Sequence, residues 1–237
     1  MATSAAGVIP AERFWQRMAI GLAVFIIFGF AQFALRGFVD PVAAPFWVHL
    51  HGIAMLAWLG LLIVQPTLVS RAELPLHRRL GWIGGGLALV ITGLGIFTGL
   101  ASLVLNRFPP FFSPPYFLAL TTVEALVFGA MVWWAVRRRH ATQWHRRLMI
   151  GATIVILEPA LGRILPMPLM IGWSDIPIGL IQLAVVGIIA LHDRRTFGRV
   201  HPATKAIFLI VIAVRATIYL LSLAPPVIAL AARLTGG

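Results

Sequence analysis

Seven stretches of the chain are apolar over the length that a lipid bilayer demands, and this pattern constrains the fold more than any other feature. A helix crossing the hydrocarbon core needs about 20 mainly apolar residues. Unpaired backbone polar groups are too costly in lipid for any open structure. Bounded by arginine clusters, prolines and acids, the runs are Phe14 to Leu35, Phe46 to Val69, Leu80 to Val104, Pro115 to Val136, Arg147 to Pro166, Asp175 to Leu191 and Ala203 to Leu223. A short apolar tail, Val227 to Leu234, follows Pro225 and Pro226 and is expected to lie along the interface. The first run is too long for a signal peptide and lacks a small-residue cleavage site, so it reads as an uncleaved span. The expectation is an all-α polytopic membrane bundle, one domain over residues 1–237.

Composition closes off the alternatives. Apolar residues make up 60% of the chain and charged ones 11%, with a mean hydropathy of +0.94, against about 45–50% and about 25% in soluble domains. A soluble enzyme, a disordered chain and a nucleic-acid-binding module are all excluded, despite a formal charge of +12. There is no cysteine, which removes disulfides and thiolate-held metal clusters.

The charge is distributed by side. Short loops rich in Lys and Arg stay cytoplasmic. Arg13 and Arg17 precede the first run; Arg71, Arg78 and Arg79 separate the second and third. Arg137, Arg138, Arg139, Arg146 and Arg147 separate the fourth and fifth, and Arg194, Arg195, Arg199 and Lys205 the sixth and seventh. All four segments fall on one side of a seven-span chain, with only Arg36, Arg107 and Arg233 opposite. The N-terminus is therefore expected inside and the C-terminus outside. Anionic lipid head groups are the partner that this basic face implies, and no nucleic acid is expected. Only one of the nineteen basic residues is lysine, a codon bias of GC-rich bacterial genomes that points to the bacterial inner membrane.

Two helix entries repeat. Leu76-His77-Arg78-Arg79-Leu80-Gly81 opens the third span and Trp144-His145-Arg146-Arg147-Leu148-Met149 the fifth, 68 residues on, as an internal helix-hairpin duplication would place them. A fainter echo is Val200-His201-Pro202. These HRRLG and HRRLM entries, with Gly162-Arg163 later in the second copy, resemble a widespread group of bacterial multi-pass membrane proteins in which such paired entries recur. The resemblance covers spans two to five and implies architecture without a mechanism. His51-Gly52-Ile53-Ala54-Met55, with His77 and His145, is also similar to the cytochrome b561 type of haem protein, whose helix-borne histidines are axial ligands. That similarity implies haem b between His77 and His145. His51 has no histidine partner on span four, so a second haem site is not expected.

Four ionisable residues sit well inside the runs: Glu124, Glu158, Arg163 and Arg215. Each costs about 2.5–3.5 kcal/mol at a helix centre if unpaired, so such groups face the bundle and pair. Their charges cancel. Glu124 lies about 13 Å from the start of its span at 1.5 Å per residue, and all four fall between the midplane and the outer surface, in the layer of His49 and His51. Glu158 and Arg163 are roughly 140° apart around the helix, so Arg215 is expected to pair with Glu158 or Glu124, and Arg163 to sit beside Asp175. Pro159 is expected to kink the helix at Glu158.

No metal site is expected, since His49 and His51 point roughly 200° apart. Gly84, Ala88, Thr92, Gly95 and Gly99 form a small-residue stripe that permits close packing. Trp47, Trp133, Trp134 and Trp173 read as interfacial anchors. The leading expectation is small-molecule or proton-linked binding or transport through His51, Glu124, Glu158, Arg163 and Arg215. The alternatives are a haem b electron-transfer protein using His77 and His145, and a structural or assembly subunit whose buried charges fix helix register.

Overall fold

A computed structural model describes residues 10–40 and 42–236; residues 1–9, whose side of the membrane the sequence assigns, lie outside them. The described chain is all-helical. It comprises α1 (Pro10–Leu35), α2 (Phe46–Ser70), α3 (Leu74–Val104), α4 (Pro114–Arg137), α5 (Thr142–Val155), α6 (Glu158–Ile164), α7 (Asp175–Phe197), α8 (Pro202–Ser222) and α9 (Pro225–Thr235), with a 3-10 turn at Met167–Met170. Proline occupies the first turn of α3, α4, α6, α8 and α9, where its missing N–H has no partner to lose.

Six of these, α1 to α4, α7 and α8, are long and apolar enough to cross a membrane. The expected fifth span, Arg147 to Pro166, is instead two helices, α5 and α6, broken at Ile156 and Leu157. The cause is local. Pro159 has no N–H to give the Val155 carbonyl. Gln182 of α7, 1% exposed, supplies the missing donor: its Nε2 bonds the Ile154 and Val155 carbonyls, each at 2.9 Å. Gln182→Leu should therefore leave the buried Val155 carbonyl short of a donor, Ile154 keeping the Leu157 N–H, and lower stability by about 1–3 kcal/mol, measured by thermal unfolding in detergent.

The broken segment is the centre of the bundle. α5 touches α1, α4, α7 and α8, and α6 packs on α1. From Arg147 to Val155 every residue of α5 except Met149 is buried. Trp58 of α2, 1% exposed, donates to Thr153 Oγ1 at 3.2 Å and meets Phe128 of α4 edge-on at 4.9 Å. Around this core the basic helix ends gather at one end of the bundle. Gln16 bonds Thr67, Arg139 lies over Trp82 and Arg138 over Trp144. At the opposite end Trp47 meets Phe97, and Leu103, Leu118 and Ala231 bring α3, α4 and α9 together.

The small-residue stripe of α3 packs as expected. Thr121 of α4 lies over Gly99, Thr92 of α3 lies over Gly129, and Gly95 faces Ala125. A tighter approach joins α1 to α6. A Cβ on Gly29 would stand 2.9 Å from the Ala160 carbonyl oxygen, and a backbone oxygen has no rotamer in which to retreat. Gly29→Ala should accordingly cost about 1–3 kcal/mol through overpacking, seen as a lowered unfolding temperature.

Candidate functional site

Arg215 organises the half of the bundle away from the basic end. It sits on α8 between α4 and α7, its side chain laid over Gly179. Nη2 forms an ion pair with Glu124 Oε1 of α4, and Nη1 reaches Asp175 Oδ1 at the start of α7, 3.4 Å away. The same Asp175 oxygen accepts from the Tyr116 hydroxyl at 2.7 Å. Glu124 and Glu158 are 4% and 3% exposed, while the Asp175 side chain keeps 21% of its surface. The cluster therefore runs inward from an exposed edge.

Glu158 completes it and differs from the others. Its carboxylate lies within electrostatic reach of Arg215 of α8, Asp175 of α7, Glu124 and the neutral Tyr116 hydroxyl of α4, and Arg163 of its own helix. Its Oε1 is nevertheless buried without a hydrogen-bond partner. A buried carboxylate oxygen in that state carries its full desolvation penalty.

The sequence-expected residues divide accordingly. Glu124, Glu158 and Arg215 come together, and the Arg215 to Glu124 pairing is one of the two expected. Arg163 does not reach Asp175. α6 packs on α1, and the guanidinium lies over Phe30 of that helix, 4.0 Å from the ring centroid, and donates to the Pro159 carbonyl at 2.6 Å. His51 lies near Gly95, between α2 and α3; its Nδ1 is buried without a partner, and none of the cluster's hydrogen bonds reaches it. Tyr116 went unnoticed in the sequence; its place in the first turn of α4, opposite the acid that opens α7, was the available signal.

With Asp175 included the charges no longer cancel. Three carboxylates, Glu124, Glu158 and Asp175, face two guanidiniums, Arg163 and Arg215. One negative charge is left over.

A second charged network lies at the basic end and was missed altogether. Arg147 counts in the sequence as one of five arginines at a water boundary, yet it is 0% exposed, as is Asp193. The two form an ion pair. Asp193 also accepts from Thr204 Oγ1 at 2.5 Å and from the His201 backbone N–H at 3.1 Å, and Arg147 Nη1 donates to the Gln143 carbonyl and amide oxygen at 2.8 and 2.6 Å. Trp15 of α1 and Phe197 of α7 flank the guanidinium. His201 caps α8 by accepting the Ala203 N–H at its Nδ1, 3.1 Å away. Burial and the nearby Arg147 charge hold its imidazole below the ordinary value of 6.5, which keeps that nitrogen an acceptor at neutral pH. The signal available was Asp193 itself, a lone acid in an arginine-rich turn.

The two repeated helix entries meet at the same end. The His77 and His145 rings stand 6.4 Å apart between centroids, nearly perpendicular. His145 Nδ1 lies 2.9 Å from the Ala135 carbonyl; a carbonyl only accepts, so Nδ1 carries the proton and Nε2 keeps its lone pair. No cluster of three or more metal-ligating side chains occurs among the described residues.

Two apolar grooves, about 390 and 320 Å³, lie between Ala184 and Val200 and between α4 and α8; no residue of the Arg215 cluster lines either. Comparison with known protein families, curated proteins and solved structures gives no match to this chain.

Proposed function

We propose that the chain is a seven-pass protein of the bacterial inner membrane, N-terminus inside, that binds and moves protons through the Glu124, Glu158, Asp175 and Arg215 cluster in the outer half of the bundle. Six long apolar helices and a broken fifth pass support the seven crossings, and the basic end, facing anionic lipid, is the cytoplasmic one. Discontinuous helices at mid-membrane are characteristic of transporters, where the break supplies polar groups to the transported or coupling ion.

One observation carries the proton reading: Glu158 Oε1, buried and without a hydrogen-bond partner, in a cluster one negative charge in excess. A single proton neutralises the excess and occupies no volume, so it needs neither of the two grooves. Infrared titration of the purified protein tests this. A protonated-carboxyl band should appear on acidification and vanish in Glu158→Gln, which retains shape and insertion. A band unchanged by that substitution, or no band in the native protein, refutes the assignment.

A second reading, haem b held by His77 and His145, is favoured by the ring separation alone. The two imidazoles would hold the group from α3 and α5, their rings 6.4 Å apart, and His145, with Nδ1 on the Ala135 carbonyl, presents its Nε2. Bound there, haem supplies one-electron transfer, with His145 oriented by the Ala135 carbonyl. An absorption spectrum of protein from haem-supplied cells decides it: without a Soret band the reading falls.

A further inference from the structure

The Arg147 network takes no part in the proton site, yet the two share a scaffold. α7 carries Asp175 at one end and Asp193 at the other, 18 residues and about 27 Å apart. α8 carries Arg215 in one network and Thr204 in the other. The fifth pass carries Arg147 on α5 and Glu158 on α6, and breaks between them. Arg147 on α5 is thus ion-paired to α7, while Glu158 on α6 lies within electrostatic reach of Arg215 on α8 without a bond to it.

The two networks differ in state. On the outer side the Asp175 side chain is 21% exposed; at the basic end Arg147 and Asp193 are 0% exposed and have their hydrogen bonds made. A charged cluster with an exposed edge at one end of the bundle and a sealed charge pair at the other suit one half of an alternating cycle, in which two elements move about a discontinuity. The break at Ile156 and Leu157 provides one. The Val155 carbonyl, which Pro159 leaves without its N–H, is held there by the Gln182 side chain of α7, so the two halves of the pass meet at a point held by a side-chain bond.

Building on the proton reading above, we propose that the Arg147, Asp193 and Thr204 network is the inner gate of the proton pathway, closed in this structure and released when the charge on Glu158 changes. Release is a separation of α7 and α8 from α5 at their basic ends, admitting water to the buried face of α7 at Ile189.

The absence of cysteine makes this directly measurable, because an introduced thiol is the only one present. Ile189, one turn deeper than Asp193 on α7, is 0% exposed. Ile189→Cys is labelled with a membrane-impermeant maleimide at one fixed pH, with Glu158 native or replaced by Gln to mimic its protonated form. Rates are normalised to Thr196→Cys, at an exposed site near the end of α7. The expected result is at least about a tenfold difference between the two Glu158 backgrounds, the size of a shift from roughly 1% to 10% open. Adding Asp193→Asn should make labelling fast in both. If that variant does not fold, Thr204→Val removes one donor to Asp193 at similar volume and should act in the same direction.

Equal rates in the two backgrounds, slow or fast, overturn the gate. The infrared band is recorded on the same samples to separate the two ideas. A Glu158 band with equal labelling rates refutes the gate alone, whereas the lack of any such band refutes the proton reading and the gate with it.

Discussion

Replacing Arg147 with methionine should lower stability by about 3–5 kcal/mol, the cost of leaving one partner of a buried ion pair behind. The substitution keeps much of the aliphatic volume, so the loss is electrostatic rather than a cavity. Asp193 would retain its Thr204 and His201 donors, but its charge would have no counter-ion in a site that is 0% exposed. Trp15 and Phe197 would each lose a cation against the ring face, a smaller contribution. The double change Arg147→Met with Asp193→Asn should recover most of the loss, because an amide still accepts from Thr204 and carries no charge. Denaturant unfolding of the four proteins gives the coupling directly. A single-substitution cost below about 1 kcal/mol would place the pair among solvated surface bridges and contradict its burial.

Six of the seven expected runs were legible as long apolar helices because a bilayer imposes one length on every crossing, and the ends of α2, α4 and α8 fall within a residue or two of the runs. The pairing of Arg215 with Glu124 was legible for a related reason. Charges inside lipid must cancel at matching depth, and depth follows from counting residues. Arg147 was not legible, since a run of arginines beside a span reads as a loop whichever of them turns inward, and α5 is buried so fully around its circumference that no apolar face distinguishes one position from the next. Arg163 misled for a different reason. Its expected meeting with Asp175 rested on its depth near the outer mouth, whereas α6, set apart by the break at Ile156 and Leu157, packs on α1, where Arg163 meets Phe30. The kink at Pro159 was foreseen; the remedy, a glutamine 23 residues along the chain, was not, because nothing in Gln182's neighbourhood marks it as facing a broken helix.

Arg215→Met should be the most damaging change on the outer side. One guanidinium serves two carboxylates through different nitrogens, Nη2 to Glu124 and Nη1 to Asp175. Losing it raises the cluster's excess from one negative charge to two. The cost should again be about 3–5 kcal/mol, most of it from Glu124, which is 4% exposed. Asp175 loses less, since it keeps the Tyr116 hydroxyl and some contact with water. Glu124→Gln added to Arg215→Met should therefore restore more stability than Asp175→Asn added to it. Arg215→Lys separates charge from geometry. It preserves the sum of charges, but a single ammonium lacks the planar fork that reaches both acids, so a loss intermediate between native and methionine is expected in unfolding measurements. If lysine matches arginine, net charge alone holds the cluster. If lysine does as badly as methionine, the fork is what matters, and the one remaining negative charge is then fixed in place at Glu158, the member of the cluster that Arg215 does not hydrogen-bond.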